Sequence, residues 1–191
     1  MEVYLNFSNS NIWSEIWPEI SLAIAAIVLL GIDLFRKSSR PLVSTGILAI
    51  TVQASLLIFH LFDYLVWHHT FDRETFSGML QQGIQGDVMR TFFLLSSLLV
   101  TVLGHQYLKT HHVRSGEFHH LTMLATAGLM LLVQSNNFLM LFVALETVAV
   151  CFYTLVAYNR DSAKSLEAGI KYLVFGALSS SLLLFGIVLL Y

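Results

Sequence analysis

Hydrophobic residues fall along this chain in six long runs, each close to the length of a membrane-crossing helix, separated by short polar stretches. Runs of about twenty residues match a hydrocarbon slab roughly 30 Å thick at about 1.5 Å of rise per residue. Lipid offers the backbone no hydrogen bonds, so such runs have to be helical. The pattern predicts spans over about 17–35, 42–67, 88–108, 118–134, 137–158 and 165–191, with the short QSNN joining the fourth to the fifth. Trp17 and Pro18 open the first span, proline being tolerated in a helix's first turn. Residues 68–87, HHTFDRETFSGMLQQGIQGD, form the long connection. There Phe71, Phe76, Met79, Leu80 and Ile84 alternate with polar residues and glycines, which reads as an ordered cap on the outer surface, either a short hairpin or an interfacial helix. The predicted fold class is an all-α polytopic membrane protein, with residues 1–191 forming a single transmembrane helical bundle that has no soluble domain and no internal repeat.

Composition strengthens this reading. The chain is 56% hydrophobic and 12% charged, where a soluble domain has about a quarter of its residues charged. The charges that remain orient the bundle. Arg36, Lys37 and Arg40, then Lys109 and Arg114, then Arg160 and Lys164 occupy alternate loops, seven of the ten Lys and Arg. Arg73 and Arg90 lie at the opposite ends and are offset by Asp72, Glu74 and Asp87. The positive-inside rule then places loops 1–2, 3–4 and 5–6 in the cytoplasm and the N-terminus outside. A net charge of −2 without a basic patch excludes a nucleic-acid partner. Cys151, the single cysteine, lies inside an apolar run, so an internal disulfide and a CxxC metal site are excluded too. The opening MEVYLNFSNSNIWSEIW is polar and acidic, unlike a cleavable signal peptide.

Chemistry enters with the stretch FLMLFVALETVAVCFYTLVAY, residues 138–158, which carries Glu146 at its centre. A mid-membrane acid costs about 2.5–3.5 kcal/mol on insertion scales, so it persists where it faces protein or water. Burial and nearby cations act on a carboxyl in opposite directions, and their balance lets a buried glutamate load and release a proton. A structural hydrogen bond or ion pair is the plainer alternative. Lys171, in SLEAGIKYLVFGALSSSLLLFG, is the second candidate, because lysine can hold or shed a proton. Glu167 stands one turn before it in the favourable order, so a local ion pair with Lys171 reaching to the surface is an equal reading. By helical rise Glu146 and Lys171 differ in depth by roughly 10 Å, which argues against a direct bridge.

Weaker polar signals are Gln53, His60 and Asp63 in span two and His105 and Gln106 in span three, which could line a hydrated path. Asp33, His60, Asp63 and His105 lie near helix ends, where structural roles are common. The pairs His68–His69, His111–His112 and His119–His120 do not make a metal site, because neighbours on a helix point to different faces and no carboxylate or cysteine completes a set. Ser179, Ser180 and Ser181 with Gly176 favour close helix packing. No phosphate loop, nucleophile triad or redox-centre motif occurs, so the chain is expected to bind no NADH, FMN, iron–sulfur cluster or quinone of its own.

The stretch 124–191, LATAGLMLLVQSNNFLMLFVALETVAVCFYTLVAYNRDSAKSLEAGIKYLVFGALSSSLLLFGIVLLY, resembles the antiporter-like membrane subunits of bacterial respiratory complex I, and among them the subunit N type. The resemblance rests on SNN before span five, LE in mid-span, and SLEAGIKY followed by small residues and LLFGIVLLY; residues 1–123 fit more loosely. It implies the first six helices of a subunit with about fourteen, in the bacterial inner membrane among other membrane subunits of complex I. It also implies a proton-translocating role for Glu146 and an accessory role for Lys171. NADH, FMN, iron–sulfur clusters and quinone would be handled elsewhere in that NADH:quinone oxidoreductase. The family's lysine partner for the glutamate belongs to a seventh span, beyond Tyr191. One local departure is that the family's usual proline five residues after the glutamate is Cys151 here, and its usual serine at the third is Ala149, which removes the sequence reason for a bend. Two other readings stay open: a cation/proton antiporter component, and a membrane scaffold that transports nothing.

Overall fold

The computed structural model describes residues 13–35, 42–67, 73–110 and 116–190. A short 3₁₀ turn, Trp13–Ile16, leads into six helices: α1 (Trp17–Phe35), α2 (Leu42–Trp67), α3 (Ile84–Thr110), α4 (Gly116–Gln134), α5 (Phe138–Val156) and α6 (Ala163–Leu190). The acidic N-terminal segment, the Arg36, Lys37, Arg40 and Arg114 positions, the two pairs His68–His69 and His111–His112, Phe71 and Asp72 lie outside the described residues, as does the side chain of Asp33.

By length and composition α2, α3, α5 and α6 can each cross a membrane, and α1 is a shorter apolar helix. α4 is held in their midst and packs against α1, α2, α3 and α5. This explains how α4 carries His119, His120, Thr122, Thr126 and Gln134: a helix enclosed by other helices need not present an apolar surface to lipid. The shared core consists of Leu22, Ala26 and Leu29 of α1, Ala49 and Leu57 of α2, Leu94 of α3, and Met123, Ala127 and Met130 of α4. Along α1 the buried positions Glu19, Leu22, Ala26 and Leu29 recur at helical spacing, so one stripe meets the core.

The connection between α2 and α3 contains a hairpin, β1 (Arg73–Thr75) paired antiparallel with β2 (Leu80–Gln82). Its turn runs through Phe76, Ser77 and Gly78, all with positive φ, of which only the glycine adopts that backbone without steric cost. The hairpin is clamped to the α4–α5 turn. Leu80 bridges to Ser135, the Asn136 backbone N–H donates to the Met79 carbonyl at 2.9 Å, and the Asn136 side chain donates to the Gly78 carbonyl at 3.2 Å. Asn137 then caps α5, its side-chain oxygen accepting from the Leu139 N–H at 2.9 Å. Each residue of the SNN stretch therefore has a separate task.

The start of α3 corrects the sequence reading. The helix begins at Ile84, ahead of the start expected near 88, so Asp87 is not a loop charge but a first-turn residue, and it is buried in the bundle together with Arg90 one turn on. Arg90 is 4% exposed and Glu19 2%. Arg90 donates from Nε to Glu19 Oε1 at 2.7 Å, from Nη1 to Asp87 Oδ1 at 3.1 Å, and from Nη2 to the Glu15 carbonyl at 2.8 Å and Gln134 Oε1 at 2.6 Å. Gln134 in turn donates to Glu19 Oε1 and to the Met130 carbonyl, and accepts from Gln82 of β2 at 2.5 Å. His60 of α2 reaches the Asp87 carbonyl at 3.3 Å. One guanidinium thus connects the 3₁₀ turn, α1, α3 and α4, with the hairpin joined through Gln134.

Removing one partner of a buried ion pair leaves the other charge uncompensated. Arg90→Leu is expected to destabilise the bundle by about 3–5 kcal/mol, and combining it with Glu19→Gln should recover part of that loss. Asn137→Ala should cost about 1 kcal/mol, the usual effect of losing an N-cap. Thermal unfolding in detergent checks all three, followed by a thiol-reactive dye on the buried Cys151.

Candidate functional site

Helix α5 runs without a break from Phe138 to Val156, through the Ala149 and Cys151 positions. Ala144, Val148 and Cys151 form its buried side, and a Cβ on Gly128 of α4 would stand 2.8 Å from Val148, so these two helices are in close contact. Glu146 sits near the middle of α5 and is half-buried. Its Oε1 is enclosed and has no hydrogen-bond partner. Tyr153, two helical turns on, lies on the same side of α5 as Glu146. Tyr153 stacks edge-on against Tyr172 of α6, with centroids 5.1 Å apart, and its hydroxyl occupies the space that a Cβ on Gly176 would take. The glutamate therefore shares the side of α5 that α6 covers, away from both helix ends. An enclosed carboxyl oxygen without a donor is an acceptor available for a proton, a water or a cation.

Lys171 is not that donor. It pairs with Glu167 at 2.5 Å, with the two side chains 65% and 64% exposed. The local i,i+4 pair read from the sequence is the one formed, and Lys171 stays at the surface of α6. Along α6 only Gly169 and Ile187 are buried, so nearly the whole outer face of this apolar helix is bare.

The weaker polar positions separate into two groups. Gln53 and His60 are buried, Gln53 donating to the Ser97 hydroxyl at 3.0 Å. Asp63 and His105 are partly covered and Gln106 is exposed. His119 turns inward toward His105, with ring centroids 5.8 Å apart, rather than acting with its sequence neighbour His120. Among the described residues no group of three His, Cys, Asp or Glu is placed to hold a metal ion.

Sequence reasoning did not bring Glu19, Asp87, Arg90 and Gln134 together. One signal was available: Glu19 shares a helical face with Leu22 and Ala26, and Asp87 and Arg90 are spaced i,i+3. A charged position that continues an apolar stripe is a buried charge, and it needs a buried partner.

Against this geometry, similarity to known proteins can be placed. Residues 135–191 match the family model described as NADH:quinone oxidoreductase/Mrp antiporter, TM. The whole chain aligns with NADH-quinone oxidoreductase subunit N 1 of Opitutus terrae at 45% identity, covering 37% of that protein. Over 91% of its length it is 39% identical to NADH-quinone oxidoreductase subunit N of Xanthomonas euvesicatoria, covering 34% of that protein. In structure it is similar to a chain of respiratory complex I from Thermus thermophilus, solved with bound aureothin. That match has a TM-score of 0.71 and 24% identity and covers 91% of this chain and 36% of the other, which shows a shared fold. The chain thus spans little more than a third of the length of the curated relatives it matches. By sequence along its full length, the chain is similar to the N-type subunits of NADH-quinone oxidoreductases.

Proposed function

We propose that this chain is part of the proton-translocating machinery of a membrane-bound NADH-quinone oxidoreductase, with Glu146 as its principal proton-handling group. The observation that carries the reading is the Glu146 carboxyl, held mid-helix with Oε1 enclosed and unmatched by any donor. Such an atom is costly to leave alone and well suited to exchanging a proton with a neighbour. The names carried by the relatives support the assignment to an oxidoreductase complex. Electron transfer from NADH to quinone belongs to other subunits in this reading, along with FMN and the iron–sulfur clusters. The chain's own partners are the bilayer and the neighbouring membrane subunits. Lys171 acts as an accessory group near the cytoplasmic surface of a bacterial inner membrane, in an orientation with the N-terminus outside. The bare face of α6 is where further helices of the same subunit would pack, and a cationic partner for Glu146 would come from them.

A second reading is favoured by the wording of the family model, which joins these subunits to Mrp antiporters. There the same carboxyl would couple a metal cation to the proton.

The test uses the full-length subunit in its assembled complex. Glu146→Ala and Glu146→Gln are expected to lower proton pumping and quinone-coupled turnover by about tenfold or more, a modest share of what a positioned proton-transfer group contributes. Assembly should persist in both variants. Lys171→Ala should have a smaller effect. Normal pumping in Glu146→Ala would rule out the role, and a sodium requirement that disappears with the carboxyl would transfer the site to the antiporter reading.

A further inference from the structure

At the end of the bundle away from the hairpin, α2, α3 and α4 meet around Gly46, His105 and His119. A Cβ on Gly46 would stand 2.1 Å from His105 Nδ1 and 3.0 Å from His119 Nε2, so the glycine leaves room for both rings. The two nitrogens accordingly lie within reach of one bridging water. His119 is 1% exposed, and neither of its ring nitrogens has a hydrogen-bond partner; His105 Nδ1 is also enclosed and unpartnered. Burying an imidazole without satisfying its ring nitrogens is costly. Two such groups aimed at one small space make a site, not a packing accident.

The surroundings define its chemistry. α2 contributes Thr45 and Gly46, with no ionisable group. From α3 come His105 and, one turn on at the surface, Lys109. From α4 come His119, His120 and Glu117, the last committed to Arg160 at 2.7 Å. The α5–α6 connection contributes Tyr158, whose ring packs on Phe118. Two neighbouring imidazoles repel when both are cationic, so the pair suits one excess proton better than two. A metal ion would lack a third ligand among the described residues.

The site also has a boundary. Farther along the same face of α3 the buried polar groups continue through Thr101 and Ser97 to Gln53, whose Oε1 is unpartnered. Leu57 of α2 and Leu94 of α3 then close the interface before the Arg90 cluster. Apolar packing therefore separates this polar stretch from the Arg90 cluster.

We propose that His105 and His119, cleared by Gly46, form a proton-binding site served by a bridging water, distinct from Glu146 and independent of the role proposed for it. The site exchanges its proton with the aqueous phase at its own end of the bundle, and the Leu57–Leu94 closure keeps that proton from reaching the other.

The experiment counts protons taken up by the purified, assembled, non-turning-over complex containing the full-length subunit. Across an acid titration from about pH 8 to about pH 4, the double variant His105→Gln with His119→Gln should take up about one proton fewer than the unaltered complex. Gly46→Ala, which keeps both histidines but fills their shared space, should show a deficit in the same range. Glutamine preserves hydrogen bonding, so a purely structural role would leave the count unchanged. Equal uptake by the double variant and the unaltered complex overturns the proposal. Glu146→Gln in the same preparation separates the two assignments, since normal pumping there with a deficit in the histidine variant would sink the Glu146 role and leave this site standing.

Discussion

A guanidinium placed inside an apolar bundle dictates where its neighbours must be. Arg90 has five N–H donors and cannot be neutralised, so every donor left unmatched is a large cost. Here four of the five are taken up, by Glu19, Asp87, the Glu15 carbonyl and Gln134. All but Asp87 come from elements distant in sequence, and Glu19 and Gln134 fix the axial positions of α1 and α4 against α3. Buried ion clusters contribute little net stability compared with apolar packing of the same volume. What this one supplies is register: sliding α1 or α4 by one turn would strand a charge. The hydrophobic contacts among Leu22, Leu94, Met123 and Met130 hold the helices together but would tolerate such a slide more easily.

The contrast between the two halves of the chain follows. Helices α1 to α4 interlock through polar groups, with Arg90 near the hairpin and the His105–His119 pair at the other end. Helices α5 and α6 add on through apolar and aromatic contacts. Glu146 stands on the side of that add-on, and its enclosed oxygen has no donor from the first four helices. The molecule thus keeps the Arg90–Glu19–Asp87 ion cluster apart from the Glu146 carboxyl.

How much of this could be read from the sequence depended on whether a feature is one-dimensional. Span lengths are set by the thickness of the hydrocarbon slab, so six runs of apolar residues marked out the six helices to within a few residues. The Glu167–Lys171 pair was readable because i,i+4 neighbours are fixed by helix geometry alone. Three-dimensional features were not readable. Arg90 finds Glu19 across 71 positions and Gln134 across 44, and nothing in the local spacing of either names the other. The start of α3 is hidden in the sequence because Gln85, Gly86 and Asp87 interrupt the apolar run; the Asp87 side chain belongs to the interior because Arg90 is there. Helix geometry turns His119 and His120 to different faces, but nothing in the sequence names His105, on another helix, as the neighbour of His119 in space.

The attachment of α6 has a mechanical consequence. Its principal packing is against α5, at places where the helices nearly touch: Gly169 faces Ala157, and Gly176 receives the Tyr153 hydroxyl. Joints this tight have no slack, so a push or twist delivered to the far side of α6 is passed to α5 as a displacement rather than absorbed by rotamer changes. Glu146 is the carboxyl on that shared side. A rigid pair of this kind would act as a connecting rod, turning a displacement of α6 into a change in the surroundings of that group.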